Sequence, residues 1–382
     1  MSKTSIPDKV KIRLWGKAAG RCQYEGCNEP LWKDSLTQWE FNAAYIAHII
    51  ADSPNGPRGH ETLSEKLAKD ISNLMLMCDK HHRIIDREDV EGHPVEKLIE
   101  MKKNHEMRIE MVTSIDEERK SHVLLYGANI GGHNSPIHWE KTTPAMLPER
   151  YPAEKPAIEL GIKNSPFRDH QEMFWTLERE NLRNQFSDKV KRRLELADIQ
   201  HLSIFALAPQ PLLIELGVLI SDICQADVYQ LHREPANWKW QDDPDGFDYI
   251  VEEPEVIQKK VALNLSLSAT IDNERIINVL GTDTSIWTVT IPKPDNDFLK
   301  SRNQLSTIRT IFRELLNKIK LVHGHNTIIH VFPATPVSVA IELGRVWMPK
   351  ADLPLSLYDE KGGFRYTFTI GETTRQKEGV SN

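Results

Sequence analysis

With 382 residues and a formal net charge of −7, the chain is too long for one ordinary core and suits two or three domains. That charge excludes attraction of DNA by the mean field of the molecule, so any nucleic-acid contact must come from a local basic patch. Aliphatic runs stop well short of the ~20 apolar residues of a membrane span. The opening MSKTSIPDKVK lacks the apolar stretch of a signal peptide, and a soluble cytoplasmic protein is expected.

In chain order, PDKVKIRLWGKAAG (7–20) predicts a short helix opened by Pro7 and closed by Gly20. From Cys22 to about Asn55 polar-apolar alternation and turn residues predict a hairpin, with YIAHII as a strand. SPNGPRG forces a loop. A helical pattern is expected from Ser72, and a second helix in PVEKLIEMKKNHEMRIEMV closes a first domain at residue 118. Residues 119–170, rich in Pro, Gly, Asn and His around a strand-like HVLLYG, read as a surface connector. Residues 171–382 then alternate amphipathic helices with the strands LSIFALA, DVYQL, VALNLSLSAT, IWTVTI, TIIHVF and LPLSLY, which predicts an α/β domain.

That last region contains an echo. In FALAPQPLLIELG (205–217) and FPATPVSVAIELG (332–344), aligned without gaps, Phe, Pro, Ile, Glu, Leu and Gly coincide. Each copy reads as a strand, a Pro-bearing turn and a helix opening whose free N–H groups would face an anion. Two such crevices would suit a ligand with two similar phosphate halves; an old duplication kept for packing explains the same identities.

Three of the four cysteines cluster near the N-terminus, and Cys224 stands alone. Cys22-x4-Cys27 and Cys78-x2-His81 supply two pairs of ligands in the pattern of tetrahedral structural Zn2+. His82 then falls on another face of the same element. Asp86, four residues on, shares that face if the segment is helical, and the two would hold one hard divalent cation; otherwise Asp86 is a surface carboxylate paired with Arg83 or Arg87. His48 stands among apolar neighbours on its strand. Lys9, Lys11, Arg13, Lys17 and Arg21 crowd the first helix, and Arg58 sits in the Gly-Pro loop; these are the candidate phosphate contacts.

The order RCQYEGC…AHIIADSPNGPRG…SNLMLMCDKHH resembles the HNH endonuclease family over residues 1 to about 115. The resemblance implies an α+β, ββα-metal fold with structural zinc, a general base at His48, Asn73 holding the base or its loop in register, and His82 on a catalytic Mg2+-type ion. Where many members carry an acidic residue or His before the base, this chain has Ala47; Asp86 is the candidate that completes the shell, ahead of Glu40 and Asp52.

The echo, DVYQLHR with WKW, and LNLSLSAT resemble the SAVED domain, the cyclic-oligonucleotide sensor of bacterial CBASS antiphage systems. The combined order is similar to HNH–SAVED effector nucleases along nearly the whole chain. The resemblance implies an α/β domain of two fused CARF/Rossmann-like halves, a cyclic di- or trinucleotide activator, assembly into a homo-oligomer (dimer or tetramer), and cleavage of double-stranded DNA. Candidate ligand contacts are Pro209, Gln210, Pro211, Thr335 and Pro336 in the turns, with His232 and Arg233 for phosphates. Trp238 and Trp240 either stack on a base or belong to the core, and Ser266 and Ser268 either bond the ligand or face solvent. Two other readings compete: a modification-dependent HNH restriction enzyme, and a catalytically dead zinc DNA-binding module with a sensor domain.

Overall fold

The computed structural model describes residues 4–130, 137–162, 167 and 169–371. The chain divides into two compact units, Met1–Asp116 and Glu117–Asn382. Residues 372–382, assigned above to the last domain, lie outside the described residues.

The first unit is built from α1 (Asp8–Ala18), β1 (Tyr45–His48), α2 (Leu63–Leu67), β2 (Leu74–Met77), α3 (Asp79–Arg83) and α4 (Val95–Thr113). Pro7 precedes α1, and Ala19 and Gly20 end it in the left-handed region, as the Pro and Gly signals require. On α4 the buried Leu98, Met101, Lys102 and His105 fall three to four residues apart on one face.

Two expectations fail here. The 22–55 hairpin is reduced to isolated bridges, Arg21 with Pro30 and Lys33 with Glu40, and β1 pairs instead with β2 in antiparallel register, Ala47 opposite Met75 and His48 opposite Leu74. Nor does a helix start at Ser72. LMLM is a fully buried strand, whose uninterrupted apolar run cannot be told from a helix by periodicity.

The second unit begins with β3 (Lys120–Gly127), α5 (Trp139–Thr142), β4 (Tyr151–Pro152), β5 (Ile158–Leu160), α6 (Glu172–Phe186) and α7 (Arg192–Glu195). It continues through β6 (His201–Leu207), α8 (Gln210–Ile220), β7 (Gln225–Val228), β8 (Ile250–Glu252), β9 (Lys260–Ser266), α9 (Asn273–Leu280) and β10 (Thr284–Thr290). It closes with α10 (Arg302–His323), β11 (Ile329–Ala334), α11 (Val337–Val346), β12 (Leu355–Glu360) and β13 (Phe364–Ile370). One sheet runs β4-β3-β6-β7, with β5 also on β3, and is parallel throughout. The other runs β13-β12-β11-β9-β10-β8, parallel in its middle and closed by an antiparallel strand at each edge.

Residues 119–170 are therefore no surface connector. β3 lies inside the first sheet between β6 and β4/β5, and six of its eight residues are buried. A central parallel strand needs only a short apolar run, which the Pro- and Gly-rich surroundings disguise.

The echo is a reciprocal packing device. β6 leads into α8 and β11 into α11, with Pro209 and Pro336 at the two N-caps. The helices cross so closely that a Cβ on Gly217 would lie 2.0 Å from the Ile341 carbonyl oxygen, and one on Gly344 would lie 2.0 Å from that of Ile214. Glu215 and Glu342, beside these glycines, are buried and paired, the first with Arg179 and Arg183 of α6, the second with Arg309 of α10 and Arg345. The shared Gly thus follows from the crossing itself, and the shared Glu from the buried ion pairs beside it.

Gly344→Ala is a direct test. Helix propensity alone would stabilise it by up to ~1 kcal/mol, whereas backbone displacement costs roughly 1–3 kcal/mol or more. Denaturant unfolding of the second unit is expected to show a net loss of stability, and the same for Gly217→Ala.

Candidate functional site

In the first unit Cys22 and Cys27 flank a tight turn in which the Cys27 N–H donates to the Tyr24 carbonyl at 3.0 Å. Cys78 caps α3, placing His81 in its first turn. The four ligand atoms of Cys22, Cys27, Cys78 and His81 lie within 4.8 Å of one another. Cys78 Sγ is 3.1 Å from His81 Nδ1, and Cys22 Sγ is 3.7 Å from it. Burial pushes the Cys22 and Cys78 thiols above their usual range, so the set is expected to exchange protons for a soft divalent cation. Three sulfurs and one imidazole suit zinc.

Two residues not singled out from the sequence support this cluster. Tyr24 stacks flat on His81, ring centroids 4.1 Å apart, and its hydroxyl lies 2.9 Å from His93 Nε2. His93 Nδ1 in turn donates to the Asp89 carbonyl at 2.7 Å. A Tyr and a His with no metal-ligand spacing of their own carry no signal in sequence, because their partners are set by the loop after α3.

His82 turns the other way. Its ring stacks on Tyr45 of β1 with centroids 5.0 Å apart, and its Nε2 is 3.3 Å from Asp86 Oδ2. The helix widens into a π-type turn over Ile84–Glu88, and Asp86 still meets His82 as expected. Burial alone would raise the Asp86 carboxyl, but hydrogen bonds from His82 and Arg58 hold it below its ordinary value. A carboxylate so held is of the oxygen-donor type that hard cations take. Arg83 pairs with Asp79 instead. Ala47 is buried and Glu40 exposed, and Asp52 accepts a hydrogen bond from the Thr4 N–H at 3.2 Å. Among the described residues no third donor completes a cluster with His82 and Asp86.

His48 is buried at the end of β1, and its Nε2 lies 2.9 Å from the Ala68 carbonyl. A carbonyl only accepts, so Nε2 carries a proton and Nδ1 is the ring nitrogen left outside that bond. Asn73 clamps the next residue but one: its Oδ1 accepts from the Ile50 N–H at 2.8 Å, and its Nδ2 donates to the Ile50 carbonyl at 2.9 Å.

Arg58 is not a DNA contact. Its side chain is only 6% exposed. Nε donates to the Ile49 carbonyl at 2.7 Å, Nη1 to Ile85 at 2.6 Å, and Nη2 to Asp86 Oδ1 at 2.7 Å and the His48 carbonyl at 3.4 Å. It ties the strand of His48 to the turn of Asp86. Of the other candidates, Lys11 pairs with Asp8, Lys17 pairs with Glu106, and Arg21 donates to the Asn28 carbonyl over the Trp32 ring. Lys9 and Arg13 are exposed.

In the second unit the two Pro turns meet. Gln210 Oε1, at the start of α8, accepts from the Thr335 N–H at 3.1 Å and its hydroxyl at 2.9 Å. Gln230 does the same for Ser338 at the start of α11, at 3.2 and 2.9 Å. These crossed glutamines place both helix openings at one crevice, and Gln230 had no sequence signal. The family model described as the SMODS-associated and fused to various effectors sensor domain (SAVED) matches residues 182–370. The second unit contains a SAVED domain. No curated protein matches the chain. Among solved structures, the Acinetobacter baumannii Cap4 SAVED/CARF-domain containing receptor with the cyclic trinucleotide 2'3'3'-cAAA has a TM-score of 0.41 and 12% identity, over 72% of this chain and 55% of that one. The Moraxella osloensis Cap4 receptor has a TM-score of 0.36 and 13% identity, over 71% and 54%. This chain thus spans little more than half of each, and the SAVED assignment rests on the family model.

Within the SAVED domain several candidate contacts are internal. Trp238 is buried and meets Phe205 edge-on at 5.3 Å, so it is core. Ser266 is buried too, donating to Asn264 Oδ1 at 2.8 Å and accepting from the Ile271 N–H at 2.9 Å. Pro209, Pro211 and Pro336 are buried in their turns. His232 is buried, which lowers its pKa, and Trp240 meets it edge-on at 5.7 Å. Half-buried Ser268 donates its N–H to the Ala334 carbonyl at 2.7 Å, beside Thr335. Arg233 is exposed, its N–H anchored on Asp297. Gln210, Ser268 and Trp240 are half-buried and Arg233 is exposed, whereas Thr335 is buried at the joined turns with its N–H and hydroxyl both given to Gln210.

Two tests follow for the first unit. Chelation of the metal, or Cys27→Ala, is expected to unfold this unit as seen by circular dichroism, while His82→Ala keeps one zinc per chain by elemental analysis. Arg58→Ala leaves the Asp86 carboxylate to His82 alone and takes a donor from three backbone carbonyls, and is expected to cost roughly 1–3 kcal/mol in denaturant unfolding; a DNA-contact role would leave stability unchanged.

Proposed function

We propose that the chain is a metal-dependent DNA endonuclease of the HNH type, gated by a cyclic di- or trinucleotide bound to its SAVED domain, and an effector of CBASS antiphage defence. The observation that carries the nuclease reading is the bond that commits His48 Nε2 to the Ala68 carbonyl and leaves Nδ1 outside it, on a strand tied through Arg58 to the His82–Asp86 pair. The order of these residues around the zinc-type cluster resembles the HNH endonuclease motif.

In this mechanism His48 Nδ1 takes the proton of a water that attacks the scissile phosphorus, and the P–O3′ bond breaks to leave a 5′-phosphate. Asn73 keeps the loop after His48 in register. Arg58 holds the base strand against the turn that bears Asp86. His82 and Asp86 would hold a Mg2+-type ion, which supplies charge stabilisation to the phosphorane and the departing oxygen when bound. Lys9 and Arg13 contact phosphates.

On the sensing side, the cyclic nucleotide lies at the Gln210–Thr335 turns, with Arg233 for a phosphate and Trp240 for a base face. A cyclic trinucleotide bound to the Cap4 receptor named above is consistent with that ligand class. An acidic protomer is a poor DNA binder, and assembly into a homo-oligomer would present several first units at once, raising effective affinity by ~10²- to 10⁴-fold.

A plasmid-nicking assay with magnesium and a panel of cyclic nucleotides tests the reading. Wild type is expected to nick only with ligand, and more steeply than linearly with protein concentration. His48→Ala is expected to be ~10²- to 10⁴-fold slower with zinc and ligand binding intact. Normal nicking by that variant would remove His48 from the mechanism.

A further inference from the structure

Between α1 and β1 the chain carries side chains that the mechanism does not use. Residues 32–41 fold back as a finger, in which the Phe41 N–H donates to the Trp32 carbonyl and the Asp34 N–H to the Trp39 carbonyl, both at 2.9 Å. At its tip the Asp34 carboxylate accepts from the N–H groups of Leu36 and Thr37 and from the Thr37 hydroxyl, at 3.1, 2.7 and 2.8 Å. Gln38 completes the turn in the left-handed region at φ 60°. Polar bonds therefore set the shape, and the large apolar groups stand in water: Leu36 is 89% exposed, Trp39 74% and Phe41 49%. Ordered display of this kind marks a contact surface.

The two ends of the finger show which partner fits. At one end Trp32 lies under the Arg21 guanidinium, 5.3 Å from its carbon to the ring centroid. After the other end, Tyr45 stacks on His82. The six steps of chain from Trp39 to Tyr45 span at most ~20 Å. The finger is thus tethered close to the candidate phosphate site at His82 and Asp86.

We infer that residues 32–41 form a wedge that inserts Leu36 and Trp39 between base steps beside the scissile phosphate; the inference rests on the nuclease reading above. Apolar and aromatic wedges unstack and kink duplexes at a cost repaid by added contact, and one base–aromatic stack changes affinity about tenfold or more. A narrow protrusion with a cation at its base and a candidate phosphate site beyond it suits a groove better than a flat protein face does.

The test is fluorescence anisotropy of a labelled DNA duplex with the full chain, magnesium and each cyclic nucleotide of the nicking panel, comparing wild type with Trp39→Ala and with Leu36→Ala plus Trp39→Ala. Both side chains are exposed, so the variants are expected to keep their fold and zinc. The double variant is expected to bind the duplex about tenfold or more weakly while hydrolysing bis(p-nitrophenyl) phosphate, which has no bases to stack, at the wild-type rate. A 2-aminopurine in the duplex is expected to brighten with wild type and not with the variant. Unchanged duplex affinity overturns the wedge. So does a variant that loses mass in sedimentation but keeps its DNA affinity, which would make the finger a contact between copies. If wild type cleaves neither substrate with any cyclic nucleotide of the panel, the nuclease reading fails and binding decides the wedge by itself: loss of affinity with Trp39 supports it, and no binding, or binding indifferent to Trp39, overturns it.

Discussion

Successive residues of a helix point about 100° apart, and the first unit depends on that rotation between His81 and His82. One ring turns into the thiol cluster under Tyr24, the other onto Tyr45 and Asp86. Because Cys78 caps the same short helix, whatever metal the cluster holds also fixes the orientation of His82. Folding energy from a structural site of this donor set is large, so a small unit with a modest apolar core can hold the His82–Asp86 pair in place. Arg58 extends the same constraint to β1, since its guanidinium bonds the carbonyls at the end of the His48 strand and the Asp86 carboxylate together.

The second unit rests on a different contact. Gly217 and Gly344 let α8 and α11 approach until each backbone meets a carbonyl of the other, and this brings both helix openings to one crevice where Gln210 and Gln230 cross between the halves. Glu215 and Glu342 would each be costly in such a core without their arginines. Their pairs reach to α6 and α10, so the crossing is braced by the helices on either side.

Much of this was legible before any coordinates. Ligand spacing identified the Cys22, Cys27, Cys78 and His81 set, the i, i+4 relation joined His82 to Asp86, and gapless identity revealed the two halves of the second unit. Charge and aromatic signals were less faithful. Arg58 and Trp238 looked like contacts for DNA and base and are buried within their own units, because an isolated Arg or Trp in a loop reads alike whether it faces outward or inward. Tyr24, His93 and Gln230 gave no sign at all, since Tyr24 and His93 meet across 69 residues and Gln230 meets Ser338 across 108.

By itself the sequence determined the chemistry that is local: which donors stand at metal spacing, which residues start and stop α1, and which two segments repeat. Such signals survive because their partners lie within a few residues or recur as a pattern. Only the tertiary structure decided that HVLLYG is an interior strand, that β1 pairs with β2 and not within a hairpin, and that His48 carries a proton on Nε2. Those outcomes depend on which distant backbone groups arrive alongside, and hydrogen-bond partners chosen by burial leave no periodicity for the chain to display.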